Sequence, residues 1–307
     1  MNEKMEQIIN DYLAFLKGKS PATRDVYGRV LVQMSQWMAN LPGSPGPFQL
    51  QQLTRTALAA YLDELESQGY SASHRKRVKA VISSFARWAI DEKRGGLTRN
   101  PVRDIRIKDN DEVSPRQLDA DQRLILKTLV EREASVRGEA IFGLGYWAGC
   151  RVSDISWLRL EDCHIGPKIG WIKVGYKGGK KREIDLLNEV RRPVYHYVHS
   201  AVRDEHSPYL FTSQRQERLT EAGIHHWFRQ LKNLATHSEW LLIEDVTFHD
   251  LRHDFAHRAR QADWRIEEIA YYLGHSMGQG IPNLQTTARY IQVNRHTVKD
   301  KLQTVKG

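Results

Sequence analysis

Apolar positions recur at helical spacing through most of the chain, and one stretch shows how the polar positions are placed against them. In SASHRKRVKAVISSFARWAI, residues 71–90, Val78, Val81, Ile82, Phe85, Trp88 and Ala89 fall on one side of a helix turning about 100° per residue. Lys76, Lys79, Ser83 and Arg87 fall on the other side. The pattern predicts an amphipathic helix that closes a core with one face and shows a cationic stripe with the other. Similar helical patterns precede it, broken by the Pro/Gly loop LPGSPGPFQL at 41–50. The period changes once. In WIKVGYKGGKKREIDL, residues 171–186, Ile172, Val174 and Tyr176 alternate, Gly178 and Gly179 suit a tight turn, and Ile184 and Leu186 resume the alternation. This predicts a β-hairpin whose tip is crowded by Lys177, Lys180, Lys181 and Arg182. Helical spacing then returns. The stripe Ile266, Ile269, Leu273 ends at Gly274-His275, and QTTARYIQV predicts a short helix capped by Thr286 or Thr287, with Tyr290 just inside it. The predicted fold class is mainly α with a small β-hairpin or sheet in the second half.

A chain of 307 residues exceeds what one compact core usually holds, so two domains are expected. Residues 94–115, RGGLTRNPVRDIRIKDNDEVSP, lack periodicity, contain Gly and Pro breakers and are strongly charged. The expected organisation is a helical domain over 1–95, a basic linker over 96–115, and a second domain with a C-terminal tail over 116–307.

Charge sharpens this picture. The formal net charge is +9 and the isoelectric point is near 9.5, which suits a polyanionic partner and is equally compatible with simple solubility. Its distribution separates the two. Residues 1–70 hold six Lys and Arg against seven Asp and Glu, whereas residues 71–108 hold eleven against three. Double-stranded DNA is therefore the expected partner, contacted by Arg75, Lys76, Lys79 and Arg87 on the helix and Lys180 on the hairpin. Arg94, Arg99, Arg103, Arg106 and Lys108 continue the basic surface along the linker, as one arm of a clamp around a duplex would. No apolar run could span a bilayer, and residues 1–20 lack a signal-peptide core, so no membrane partner is expected. Cys150 and Cys163 make neither a metal pattern nor a disulfide framework, which implies a reduced, cytoplasmic protein.

The candidate chemistry lies in the second half. TFHDLRHDFAHRARQ, residues 247–261, packs His249, Arg252, His253, His257, Arg258 and Arg260 into one helix with only Asp250 and Asp254 to answer them. Like charges three or four positions apart destabilise a helix, so an external anion is expected to complete it. His249 and Arg252 are spaced to share a face. Arg151 follows a Gly-Cys break at a helix start, where Ser153 and Asp154 can orient its guanidinium. His249, His253 and His257 stand at i, i+4, i+8, but Arg252 and Arg258 would oppose a dication, and no Cys or Glu completes a ligand set. No metal and no cofactor is expected, and Asp154, Glu161 and Asp162 do not form a carboxylate cluster that would hold catalytic metals.

Taken singly, each of these residues has an ordinary structural reading. Their order, Arg…Lys…His-x-x-Arg…Gly-His…Tyr, with HDLRH, LGH and the NPV after the first helical block, resembles the tyrosine site-specific recombinases, the phage-integrase family, over nearly the whole chain. The resemblance implies a helical core-binding domain followed by an α+β catalytic domain. It places Arg151, Lys177, His249, Arg252, His275 and Tyr290 in the active site. It implies DNA cut and rejoined through a 3′-phosphotyrosyl intermediate, for integration, excision or resolution of a mobile element or replicon. Such chemistry uses no metal or ATP and works in a homo-tetramer at the synapse, with room for accessory DNA-binding proteins. Val298, Leu302 and Val305 give the tail an apolar edge that would dock on a neighbouring subunit or fold back on its own domain. Two positions depart from the family pattern: Cys150 replaces the usual Leu-like residue before Arg151, and the interval from His275 to Tyr290 is longer than usual. A type IB topoisomerase-like relaxing enzyme and a non-catalytic DNA-binding protein of the same fold are the competing readings.

Overall fold

The computed structural model describes residues 3–42, 46–94, 96–108, 117–175, 181–213 and 216–275. The chain divides into two compact units, Met1–Glu112 and Val113–Gly307. Both are mainly helical, and the second adds one small antiparallel sheet.

The first unit holds α1 (Glu3–Phe15), α2 (Pro21–Ala39), α3 (Arg55–Ser67) and α4 (Ala72–Asp91). Ser20, Thr54 and Ser71 start the last three helices, each accepting the backbone N–H three residues on, which satisfies a donor that the helix itself leaves open. Pro21 fits the first helical position of α2, where no backbone donor is needed. Helix α4 buries Val78, Val81, Ile82, Phe85, Trp88 and Ala89, the face its periodicity predicts. Tyr12 of α1 closes on that face, its ring 5.3 Å edge-on from Phe85 and 5.3 Å from Trp88. The segment expected to begin the linker packs here too. Val102 and Ile105 join this core, and Asn100 Nδ2 donates to Ser83 Oγ at 2.8 Å.

The cationic stripe of α4 is thinner than its composition suggests. Arg75, expected among the DNA contacts, is buried and sends both Nη groups to the Glu66 carboxylate of α3 at 2.8 and 2.7 Å. It braces two helices. Lys79 donates to the Ile105 carbonyl and so ties α4 to the segment after it. Lys76 and Arg87 are exposed.

In the second unit the order is α5 (Ala120–Glu133), α6 (Val136–Tyr146), α7 (Val152–Ser156), β1 (Cys163–Ile165), β2 (Gly170–Val174), β3 (Arg182–Asp185), α8 (Asn188–Val198), α9 (Glu221–Lys232), α10 (His237–Ile243), α11 (Phe248–Gln261) and α12 (Ile266–Leu273). Helix α6 is buried without a break from Ala140 to Tyr146 and forms the centre of this core. The sheet runs β1-β2-β3, with Val174 opposite Arg182 and Ile172 opposite both Ile184 and Cys163. The strand pair read from the sequence is β2–β3. Strand β1 is an addition, since three residues are too few to show a period of two.

Two buried charges of opposite sign, Lys232 and Asp254, set where α11 runs. Lys232, at the end of α9, donates to the carbonyls of Ile243, Glu244 and Val246 at 3.2, 2.8 and 2.9 Å, gathering the chain between α10 and α11. Asp250 then caps α11 by accepting the Thr247 backbone N–H at 2.7 Å. Farther along, Asp254 is fully buried and accepts from Arg258 at 2.8 Å, Arg123 at 2.7 Å and the Leu118 backbone at 3.2 Å. No helix among the described residues is long and apolar enough to cross a membrane.

Candidate active site

Most of the positive charge on α11 is answered inside the protein, which corrects the expectation that the helix as a whole waits for an external anion. Arg258 pairs with Asp254 and lies 4.2 Å over the Tyr146 ring, and Arg260 donates to the Trp264 carbonyl at 3.0 Å. His249 and Arg252, predicted to share a face, differ sharply in setting. His249 is exposed, with its ring edge-on to His253 at 4.3 Å, while Arg252 is 1% exposed.

Arg252 reaches across the unit instead of outward. Its Nη1 donates to the Gly149 carbonyl at 2.6 Å, and its Nη2 to the Leu273 carbonyl at 2.6 Å. Two other arginines reach the same turn. Arg151 Nη2 donates to the Gly274 carbonyl at 3.2 Å, and Arg182 Nε to the Tyr272 carbonyl at 2.7 Å. Three guanidinia from three separate elements thus take the three consecutive carbonyls at the end of α12. A helix leaves its last carbonyls without partners and carries partial negative charge there, so cations are stabilised at that end. Gly274 makes this possible. Its φ is +65°, and a Cβ there would stand 2.5 Å from Arg182 Nη1, so the position demands both left-handed backbone and an absent side chain.

The turn delivers His275 onto Arg252, with Nε2 2.9 Å from Nη2. A guanidinium nitrogen only donates, so Nε2 accepts and the neutral ring carries its proton on Nδ1. Burial, followed by Arg252, Arg151 and Arg182, pulls the His275 pKa down to about 3. His253 falls to about 4, chiefly through burial and then His249. Partial desolvation, and next Arg252, lowers His249 as well.

These shifts set a dependence of stability on pH. In the unfolded chain the same rings return toward 6.5, so between that pH and about 3 the unfolded state binds more protons than the native state. The contribution is fully present above pH 6.5 and is lost progressively as pH falls from there through about 4 to about 3. Thermal unfolding should therefore give a lower Tm at pH 5 than at pH 7.5, and His275→Gln should narrow the gap. Equal melting at both pH values in the unaltered protein would contradict neutral buried rings.

Arg151 sits differently from Arg252. Its backbone N–H donates to Asp154 Oδ2 at 3.3 Å, its Nη1 lies 3.9 Å from the same oxygen, and a third of its side chain, 33%, stays in solvent. Asp154 is buried beneath, 3% exposed, and also faces Arg182 Nη2 at 3.9 Å. Cys150 is sealed off by burial, which pushes its thiol up to about 12 and removes it as a nucleophile at neutral pH.

The structure thus brings together Arg151, Arg252 and His275, with His249 one helical turn from Arg252, and adds Arg182. The sequence pattern places Arg182 at the crowded tip of the hairpin. In fact it opens β3 and turns inward on the same side as the buried Ile184, as alternation from Ile184 dictates. Lys181, its neighbour, pairs with Asp162 at 2.7 Å. Lys177, Lys180, Tyr290 and the tail positions Val298, Leu302 and Val305 lie outside the described residues. Among the described residues no group of His, Cys, Asp and Glu could hold a metal ion.

Comparison with known proteins gives the family. Residues 116–296 match the phage integrase family, and residues 9–93 match the phage integrase N-terminal SAM-like domain. The chain belongs to the phage integrase family. It is a tyrosine site-specific recombinase, a DNA strand-transferring enzyme. Among its relatives are the tyrosine recombinase XerD of Oceanobacillus iheyensis, 27% identical over 98% of this chain and 98% of the relative, and the tyrosine recombinase XerC of Rhodospirillum centenum, 30% identical over 92% and 81%. The fold of this recombinase is shared with the Tn1549 transposon integrase in complex with transposon right end DNA, at a TM-score of 0.75 and 16% identity over 97% of this chain and 98% of that one. It is shared too with XerH bound to difH substrate, at a TM-score of 0.72 and 16% identity over 97% and 84%.

Proposed function

We propose that this recombinase cuts and rejoins double-stranded DNA at a specific site through a 3′-phosphotyrosyl intermediate, with Tyr290 as the nucleophile. What supports the reading is the convergence of Arg151 and Arg252 with His275 on one turn, with the Arg151 guanidinium still open to solvent. A phosphodiester is anionic and gains charge on its non-bridging oxygens as the nucleophile approaches. Arg151 meets those oxygens from the open side, and Arg252 raises the positive potential from beneath while orienting His275. His275, neutral and protonated on Nδ1, has one proton to donate.

A free phenol has a pKa of about 10 and needs help to attack at neutral pH. In the proposed reaction the Tyr290 oxygen bonds to phosphorus and its proton passes to His249, whose lowered pKa keeps it a neutral acceptor. The bond from phosphorus to the 5′ oxygen breaks, and Lys177 protonates that oxygen. The products are a 3′-phosphotyrosyl link and a free 5′ hydroxyl. Because the link keeps the energy of the diester, the 5′ hydroxyl of a second DNA reverses the step without ATP or metal. Two protomers on each of two sites, a homo-tetramer, carry the exchange, which serves integration, excision or resolution.

The test is a duplex nicked beside the cleavage point, so that the short 5′-hydroxyl fragment diffuses away and the covalent adduct accumulates. The wild-type protein should form the adduct and, with two intact sites, recombinant junctions. Binding with no adduct would identify a non-catalytic DNA-binding protein, and relaxation without junctions would identify a topoisomerase. The first unit gives a separate prediction. Neutralising an exposed phosphate contact, Arg87→Gln or Lys76→Gln, should flatten the log K against log salt slope by about one each. Arg75→Gln should leave that slope unchanged and lower the Tm, because its guanidinium braces α4 against Glu66. A reduced slope for Arg75→Gln would contradict that assignment.

A further inference from the structure

We propose that Arg182 is a positioning residue of this active site, holding the Gly274–His275 turn and the base of the hairpin loop that carries Lys177 in one rigid frame. The inference rests on the recombination chemistry proposed above. Arg182 is the first residue of β3, and its Cα partner across the sheet is Val174, the last residue of β2. The hairpin loop therefore leaves and re-enters the sheet at this pair. Lys177 follows Val174 by three residues in the sequence, within the stretch of chain that this pair closes. Holding that pair is the contribution the proposal gives Arg182 toward Lys177.

The Arg182 side chain extends this frame to the other half of the site. Its Nε donates to the Tyr272 carbonyl at 2.7 Å, Nη2 faces Asp154 at 3.9 Å, and the guanidinium lies against the Cα of Gly274 so closely that a methyl group there would stand 2.5 Å from Nη1. Its side chain is 11% exposed. One residue thus touches the turn that delivers His275 and the carboxylate beside Arg151, while its own backbone anchors the loop of the leaving-group lysine. Neither Arg151 nor Arg252 has that reach, because neither belongs to the sheet. A lysine could not replace it. A single ammonium cannot lie flat on Gly274 while donating to the Tyr272 carbonyl and facing Asp154.

The experiment measures single-turnover formation of the covalent adduct on the nicked duplex, using the full chain. Arg182→Lys keeps the charge and loses the fork. It should slow the adduct by about 10- to 100-fold, the scale on which displaced catalytic groups cost rate, with DNA binding held within a few-fold. The same change made in a His275→Ala background should cost less than about 3-fold, because groups that act through one another are not additive. A second substrate, in which sulfur replaces the leaving 5′ oxygen and departs without a proton, should recover part of the loss in Arg182→Lys, since placement of Lys177 then matters less. If Arg182→Lys melts below the assay temperature, Arg182→Gln takes its place, retaining a donor for the Tyr272 carbonyl. A wild-type rate in the single variant, or an equal loss in both backgrounds with no recovery on sulfur, would overturn the inference. Absence of adduct with the wild-type protein would be a different failure, that of the recombination reading itself.

Discussion

Tyr290→Phe should abolish the covalent adduct completely while binding to the same duplex stays within a few-fold of wild type. The substitution removes one oxygen and almost no surface, so contacts to the phosphate backbone should survive while the atom that forms the bond in the proposed reaction is lost. Among the described residues, three other candidate nucleophiles have settings that argue against them. Tyr272, two residues before Gly274, has its hydroxyl 3.3 Å from the Asp185 carbonyl and its pKa raised by burial. Cys150 is held as a thiol by burial. Tyr271 is exposed on α12, on the N-terminal side of the turn that presents His275. Residual adduct in Tyr290→Phe would mean that the long interval after His275 carries the nucleophile elsewhere, and measuring adduct and binding on the same sample distinguishes that outcome from loss of fold.

Arg252→Lys should cost both rate and stability, and this pairing sets it apart from Arg151→Lys. The Arg252 guanidinium supplies the Gly149 and Leu273 carbonyls and the His275 ring at once. One ammonium cannot reach all three, and buried acceptors left without donors cost about 1–3 kcal/mol each. A loss of about 2–4 kcal/mol in unfolding free energy is expected, with adduct formation slowed by about 10²–10³-fold, the usual effect of removing one oriented donor from a charge-stabilising site. Arg151 lies at the open side with one carbonyl to satisfy, so Arg151→Lys should lower the rate on a similar scale and leave the Tm nearly unchanged. Denaturant unfolding and single-turnover cleavage on both variants provide the comparison. Equal stability of the two would contradict the structural role assigned to Arg252.

Much of this molecule was legible in its residues because periodicity reports on burial. The apolar face of α4, the β2–β3 pair and the stop of α12 at Gly274 follow from spacings of 3.6 and 2 and from the left-handed turn that Gly tolerates. The order of Arg, His-x-x-Arg and Gly-His pointed to the residues that the structure brings together as the candidate site. Two misplacements had a signal that charge obscured. Arg75 stands three and seven positions before Val78 and Ile82, on the apolar side, yet its charge put it among the expected DNA contacts. Arg182 stands two before the buried Ile184, yet was counted with the hairpin tip. In both, a long side chain runs along the apolar face and finds a partner at its far end. No local pattern could show that three guanidinia cap one helix end, because Arg151, Arg182 and Arg252 meet there only through tertiary packing. Nor could the sequence of α11 show that Arg123, from α5, helps to neutralise Asp254.

The central claim, that a single tyrosine hydroxyl becomes esterified to DNA beside this arginine cluster, is tested most directly by trapping the adduct on nicked duplex, digesting it, and sequencing the peptide that retains the nucleotide label. The expected peptide contains QTTARYIQV with the modification on Tyr290. A label on any other residue, or a wild-type protein that binds the site and yields no labelled peptide, would contradict the account.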